Sequence, residues 1–154
     1  MATVYSVQKT AWDQTHPSKK IKPNETGGRV RVAYALYEAS SLAAGDVIEM
    51  FNLPNGARVL EGTLTHDAMG GSTTLSVGHA AYNNAAGTAV ALDADEFFAA
   101  AASTSITTVA VAVTAALGRN TVIDADATGY PVTVTLAGGT GNGTVELQMY
   151  YVVD

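Results

Sequence analysis

After residue 28, this sequence consists mainly of short segments in which large apolar residues alternate with other residues. Between Val30 and Leu36 every second residue is large and apolar, which is the period of a strand with one face buried. Gly, Pro, Asn and Asp residues divide this segment from several similar ones that follow it. Because the segments are short and rich in β-branched residues, the pattern favours an all-β fold.

About eight strands are predicted. They cover residues 29–37, 47–53, 58–65, 73–77, 107–114, 121–124, 131–136 and 144–153. The turn residues 54–56 predict a β-hairpin between the second and third strands, and the Gly-rich loop 138–143 predicts another between the last two. Eight short strands joined by Gly-rich turns favour a jelly-roll-like β-sandwich.

One short helix is predicted at residues 93–102. The side chain of Asp93 can cap the free N–H groups of the first turn, and Glu96 stands at the capping-box position. The acidic first turn also opposes the positive end of the helix dipole, and a run of Ala follows it. The pattern therefore predicts a helix of about three turns.

Residues 1–28 contain two Pro and two Gly and are predicted to form an extended N-terminal arm, followed by a β-sandwich body at residues 29–154. The charged residues are also distributed unequally between the arm and the body. The first 31 residues hold six of the eight Lys and Arg residues against two acids, whereas the remaining 123 residues hold two cations and twelve acids. A basic arm on an acidic body suits docking onto another surface, although an ordinary solvated tail has the same composition.

The residues predicted to bind a partner are the single tryptophan and the cations of this region: Trp12, Lys9, Lys19, Lys20, Lys22, Arg29 and Arg31. An arm without a core of its own has no place to bury an indole, so Trp12 is expected to anchor in a pocket of the partner. Nucleic acid is not expected as a partner, because the body is acidic and binding to phosphates needs a basic surface.

The absence of cysteine excludes disulfides, thiolate metal sites and cysteine nucleophiles. The longest apolar run, residues 109–117, is about half as long as a membrane-spanning helix, and no apolar signal core follows the first Met. We therefore expect a soluble, unexported chain without a membrane partner.

Three histidines and their acidic neighbours are the candidates for metal binding or acid–base chemistry. His66 and His79 end the third and fourth predicted strands and would meet beside Asp67 if those strands paired; two His and one carboxylate suit zinc. However, no HxH or HxxxH spacing enforces such a site, and His16 lies in the arm. Surface or capping roles are the preferred interpretation of the three histidines.

The remaining acidic and serine clusters also have structural interpretations. Asp124 and Asp126 fit a turn better than a calcium loop, since further oxygen ligands are lacking. The serines at 40–41 and 103–105 lack the Gly-x-Ser-x-Gly turn of an activated nucleophile. The sequence therefore predicts no enzymatic activity, no cofactor and no required metal.

Four blocks of sequence occur in a characteristic order: residues 45–60 (GDVIEMFNLPNGARVL), 72–78 (STTLSVG), 93–101 (DADEFFAAA) and 150–154 (YYVVD). Together they resemble a family of small structural proteins of tailed bacteriophages, the capsid decoration or cement proteins. The resemblance covers residues 29–154, whereas the basic arm matches nothing in that family.

The resemblance implies an accessory protein of the virion, made in the host cytoplasm and located on the capsid exterior. Such a protein binds the major capsid protein on the outer surface of an icosahedral shell, commonly as a homotrimer, and stabilises the shell. The low share of charged residues, 14 %, and the abundance of Ala and Thr suit close contacts between subunits. The alternative is a carbohydrate- or receptor-binding β-sandwich module of a phage fibre or tail.

Overall fold

Two four-stranded antiparallel sheets pack face to face and form the body of the protein. The computed structural model describes residues 4–20 and 22–153. The strands are β1 (Val30–Leu42), β2 (Val47–Leu53), β3 (Arg58–His66), β4 (Thr74–His79), β5 (Tyr82–Asn83), β6 (Ala89–Val90), β7 (Asp93–Ala102), β8 (Thr107–Val111), β9 (Tyr130–Ala137) and β10 (Gly141–Val152). The helical segments are α1 (Val7–Trp12) and the 3-10 turns Pro17–Lys19, Pro23–Glu25 and Ala115–Leu117.

The order of the strands is that of a jelly roll. One sheet has the order β1-β10-β3-β8 and the other β2-β9-β4-β7, while β5 and β6 form a small separate ribbon. Strands β1 to β4 alternate between the two sheets, and strands β7 to β10 do the same. This topology confirms the predicted all-β, jelly-roll-like β-sandwich of about eight strands.

The core consists of the inward-facing residues of both sheets. Leu64 of β3 and Leu147 of β10 stand opposite each other in the first sheet, and both are fully buried. Val134 of β9 is fully buried in the second sheet, and Phe97 of β7 is the largest side chain without exposed surface. Complete burial of such side chains contributes roughly 1.5–3 kcal/mol each.

The segment predicted as a helix, Asp93–Ala102, is strand β7 instead. It pairs with β4 and buries Phe97 in the core, and these long-range contacts outweigh the helix preference of the Ala run. Asp93 caps no helix; its carboxylate accepts a hydrogen bond from the Asp95 N–H at 3.1 Å. The only α-helix of the described residues is α1, and none of their helices is long and apolar enough to cross a membrane.

Neither predicted hairpin forms, because in both cases the two strands lie in different sheets. Residues 54–56 do make a tight turn, in which Ala57 N–H donates to the Pro54 carbonyl at 3.1 Å, but the chain passes from β2 to the opposite sheet. The Gly-rich segment 138–143 crosses the sandwich in the same way, and its last three residues belong to β10. The strand predicted at 121–124 is reduced to one bridge between Val122 and Arg58.

Candidate functional site

In the part of the arm that the structure describes, most of the large apolar side chains are exposed. No residue of α1 is buried, and Trp12 keeps 58 % of its surface exposed. Tyr5 and Val7 are more exposed still. Large apolar side chains of the arm are therefore available for contact with another molecule.

The cations of the arm differ in whether they already have a partner. Lys9 Nζ lies 2.7 Å from Asp13 Oδ1, one helical turn further on. The other predicted cations are exposed, and within the described residues none of them forms an ion pair: Lys19, Lys20, Lys22, Arg29 and Arg31. Their charges are available to attract an acidic surface.

Arg58, a body residue without a predicted role, connects the arm to the sandwich. Its Nη2 lies 3.1 Å from Glu25 Oε1, and its Nη1 donates to the Asn120 carbonyl at 3.1 Å. The Arg58 and Glu25 side chains are only 15 % and 23 % exposed. Glu25 and Arg58 line a cleft that is also lined by Gln8 of α1, so the arm packs against the body at this point. No sequence pattern indicates this pair, because 33 positions separate the two residues.

The outer face of β1 carries a row of exposed large side chains, which we call the apolar stripe: Val30, Val32, Tyr34 and Leu36. Each is 53–62 % exposed. The predicted alternation is present, but the small side chains of the opposite face, including Ala33 and Ala39, pack against the core. Because β1 lies at the edge of its sheet, the stripe borders an open edge, where association between chains is favoured.

Polar groups of β10 border the apolar stripe. The Tyr34 phenol forms a hydrogen bond with the Glu146 carboxylate. Desolvation of the phenol raises the pKa of Tyr34, and the negative charge and the hydrogen bond of Glu146 raise it further. The Thr144 hydroxyl donates to Glu38 Oε2 at 2.7 Å at the end of the stripe. An apolar centre with a polar border is the usual composition of a surface that binds protein.

The metal site considered for His66, His79 and Asp67 is not formed, because β3 and β4 belong to different sheets. His66 is buried, with Nδ1 2.8 Å from the Asp67 carbonyl oxygen. The Asp67 carboxylate accepts the Thr144 N–H at 2.9 Å. His16 is exposed, and its Nδ1 lies 2.8 Å from Ser18 Oγ.

His79 lies beside two carboxylates of β7, and we call His79, Asp93 and Glu96 the histidine–carboxylate cluster. One ligand-type atom from each residue lies within 4.8 Å of the other two. His79 is buried, Glu96 is half-buried and Asp93 is exposed. Sequence reasoning noted both acids but assigned them to a helix cap, so the cluster was missed.

Two tyrosines pack against the His79 ring. The ring centroids of Tyr82 and Tyr130 lie 5.2 Å and 4.8 Å from that of His79. Burial raises the pKa of Tyr82, and the negative charge of Glu96 raises it further. The pKa of Tyr130 is raised more, because its phenol is more deeply buried beside the same carboxylate. Both phenols therefore stay neutral under ordinary conditions.

The other acidic candidates stabilise turns. Asp124 Oδ1 accepts the Ala85 N–H at 3.1 Å. Asp126 accepts the N–H and the hydroxyl of Thr128, and these hydrogen bonds lower the pKa of Asp126. Within the described residues, the histidine–carboxylate cluster is the one group suited to a metal ion.

Comparison with solved structures finds this fold in chains of phage capsids. A chain of the capsid of Ralstonia phage GP4 matches with a TM-score of 0.62 and 26 % identity, covering 82 % of this chain and 86 % of that one. A chain of the cyanophage Pam1 capsid asymmetric unit matches with a TM-score of 0.62 and 21 % identity over the whole of both chains. No protein-family model and no curated protein matches the sequence. The fold is thus shared with phage capsid chains, which supports a structural role in a virion.

Proposed function

We propose that the protein is a capsid decoration, or cement, protein that binds the outer surface of an icosahedral phage shell and stabilises it. The observation that carries this proposal is the apolar stripe on the open edge of a jelly roll, in a chain similar to a Ralstonia phage capsid chain. A long edge strand with exposed apolar side chains is prone to association unless another chain covers it. A structural protein of a shell needs such surfaces and needs no catalytic group.

The first surface in this proposal is the apolar stripe, which contacts a second copy of the chain. Val32, Tyr34 and Leu36 are each more than half exposed, and covering them removes apolar area from water. Copies arranged in a closed ring each present a stripe to one neighbour. A homotrimer, the state implied by the resemblance to decoration proteins, is such a ring.

The second surface is the arm, which binds the major capsid protein. The ion pair between Glu25 and Arg58 holds the end of the arm on the sandwich. The residues before it carry exposed cations and the exposed indole of Trp12. Cations orient the arm on an acidic surface, and an indole that enters a pocket supplies much of the binding free energy.

The carbohydrate- or receptor-binding alternative receives less support. Carbohydrate sites on β-sandwiches depend on exposed aromatic platforms. Trp12, the single tryptophan, lies in the arm, and the exposed Tyr34 of the body stands among the aliphatic side chains of the apolar stripe. The phage capsid chains with the same fold also favour a role in the shell.

Co-sedimentation with empty shells of the major capsid protein tests the proposed function. We expect saturable binding, density on the outer surface in electron micrographs, and shells that resist heat better than undecorated ones. Val32→Ser with Leu36→Ser should weaken binding, whereas Ile106→Ser, which removes a still more exposed apolar side chain outside the stripe, should not. A protein that ignores the shells but binds sugars on a glycan array contradicts the proposal and supports the alternative.

A further inference from the structure

His79 presents a free ring nitrogen to its acidic neighbours. Its Nδ1 lies 2.9 Å from the Ala80 carbonyl oxygen, and because a carbonyl can only accept, Nδ1 carries the proton. In the neutral ring Nε2 then holds a lone pair, and it lies 4.0 Å from Glu96 Oε2, beyond hydrogen-bond distance. The ring is 95 % buried, with 5 % of its side chain exposed. Metal-binding histidines share this arrangement, in which the second nitrogen donates to a carbonyl.

An irregularity in β7 brings the two carboxylates to the same place. Residues three apart point to opposite faces of a regular strand, so Asp93 and Glu96 would not meet there. In this sheet Asp93 pairs with His79 and Phe98 pairs with Val77, so β7 has extra residues that bulge between those pairs. The bulge turns Glu96 back toward His79 Nε2, so that Asp93 and Glu96 both lie beside the His79 ring.

Gly78 makes room for this bulge. A Cβ at position 78 would collide with backbone atoms of Asp93, Ala94 and Asp95. A glycine inside a strand often marks such a close approach of two backbones. The cluster is therefore built by the packing of β4 against β7 and does not depend on loop conformation.

The charge around the cluster is negative and lacks a cationic partner. Asp93, Asp95 and Glu96 lie within four residues, and in the described part of the chain no Lys or Arg forms an ion pair with any of them. Ionised carboxylates this close together in the chain repel one another when no cation lies between them. A bound cation relieves such repulsion.

We infer that His79 Nε2, Asp93 and Glu96 bind one divalent transition-metal ion of the zinc type, which joins the end of β4 to the bulge of β7. An imidazole nitrogen in the ligand set favours zinc over calcium or magnesium, which prefer oxygen ligands. Nitrogen and oxygen ligands around tetrahedral zinc lie about 3.3 Å apart, so atoms now up to 4.8 Å apart must close by about 1.5 Å. The Asp93 side chain is exposed, so its rotation costs only the solvent-exposed hydrogen bond from the Asp95 N–H. Three protein ligands leave a fourth position for water.

Metal titration of the tag-free, chelator-treated full chain tests this inference. We expect calorimetry to report one Zn²⁺ per chain, and thermal unfolding to shift upward with Zn²⁺ but not with Ca²⁺ or Mg²⁺. Asp93→Asn and Glu96→Gln keep the side-chain shape but should each weaken Zn²⁺ binding about tenfold or more. Glu61→Gln, which removes one exposed acid outside the cluster, and His16→Gln, which removes an exposed histidine of the arm, should leave affinity within about twofold.

His79→Gln should abolish binding, with circular dichroism used to establish that the variant is folded. If that variant does not fold, the two carboxylate variants decide the question. Failure of the wild-type protein to bind Zn²⁺ overturns the inference, as does equal weakening by the Glu61 or His16 variants, or equal affinity for Ca²⁺. The cluster lies on β4 and β7 of the second sheet, whereas the apolar stripe lies on β1 of the first. Shell binding is therefore measured separately, and its outcome does not decide this inference.

Discussion

Glu25 of the arm and Arg58 of β3 form an ion pair of 3.1 Å that fastens the arm to the sandwich. Among the described residues, Arg58 Nε is buried without a hydrogen-bond partner. The guanidinium therefore depends on Glu25 and on the Asn120 carbonyl for its polar contacts. Loss of Glu25 leaves a largely buried charge with a single neutral partner, which is unfavourable.

Glu25→Gln should loosen the arm and destabilise the protein by about 1–2 kcal/mol, since the largely buried guanidinium loses its opposing charge and keeps at most a neutral hydrogen bond to the amide oxygen. Limited trypsin digestion should cut faster at Lys19 and Lys20, and denaturant unfolding measures the loss of stability. Asp13→Asn is the matched control, because it removes an acid paired with Lys9 inside the arm. Equal digestion of both variants would contradict a fastening role for the pair.

Gly78→Ala should destabilise the sandwich by about 2 kcal/mol or more, because the added Cβ meets the backbone of β7 and one of the strands must shift. Gly71→Ala serves as the control: its Cβ would meet nothing within 4 Å, so stability should stay the same or rise slightly. Urea unfolding curves of both variants give the comparison. A Gly78→Ala protein as stable as the wild type would show that the β4–β7 contact is not tight.

Strand positions and fold class follow from local patterns, whereas strand pairing does not. The predicted strands 47–53 and 58–65 agree with β2 and β3 to within one residue, because alternation and turn residues act over a few neighbours. By contrast, Val30 pairs with Val152, at the other end of the chain. The turn at 54–56 sets a change of direction but not the sheet that the next strand joins, so the predicted hairpin was wrong.

The histidine–carboxylate cluster could not be predicted for a related reason. Asp93 and Glu96 have the spacing of a helix cap, and the Ala run after them favours a helix. Only the bulge opposite Gly78 makes them neighbours, and that bulge requires the pairing of β7 with β4. The sequence does indicate His79 as a candidate metal ligand, but its acidic partners lie in a segment that was predicted to be a helix.

The apolar stripe should hold the oligomer together. We expect light scattering coupled to gel filtration to find a trimer for the wild type, and smaller species for Val32→Ser with Leu36→Ser, since both side chains are half exposed and contribute little to folding. Ile106→Ser, at an exposed position outside the stripe, should remain a trimer. A wild-type protein that is monomeric at high concentration counts against self-association through the stripe.

The arm should strengthen binding to the shell by two separable contributions, one electrostatic and one apolar. Its unpaired cations attract an acidic surface, and this attraction weakens as salt is added. Trp12, if it enters a pocket, contributes about 2 kcal/mol or more, which offsets part of the entropy lost on ordering the arm. Removal of residues 1–28 should therefore weaken co-sedimentation with shells. The body should remain folded, at a lower stability because Arg58 loses its partner Glu25. Added salt should weaken shell binding of the full chain and of Trp12→Ala more than that of the truncated protein. At every salt concentration, Trp12→Ala should bind more weakly than the full chain. Equal binding by all three proteins at low and high salt would establish that the arm is an ordinary solvated tail.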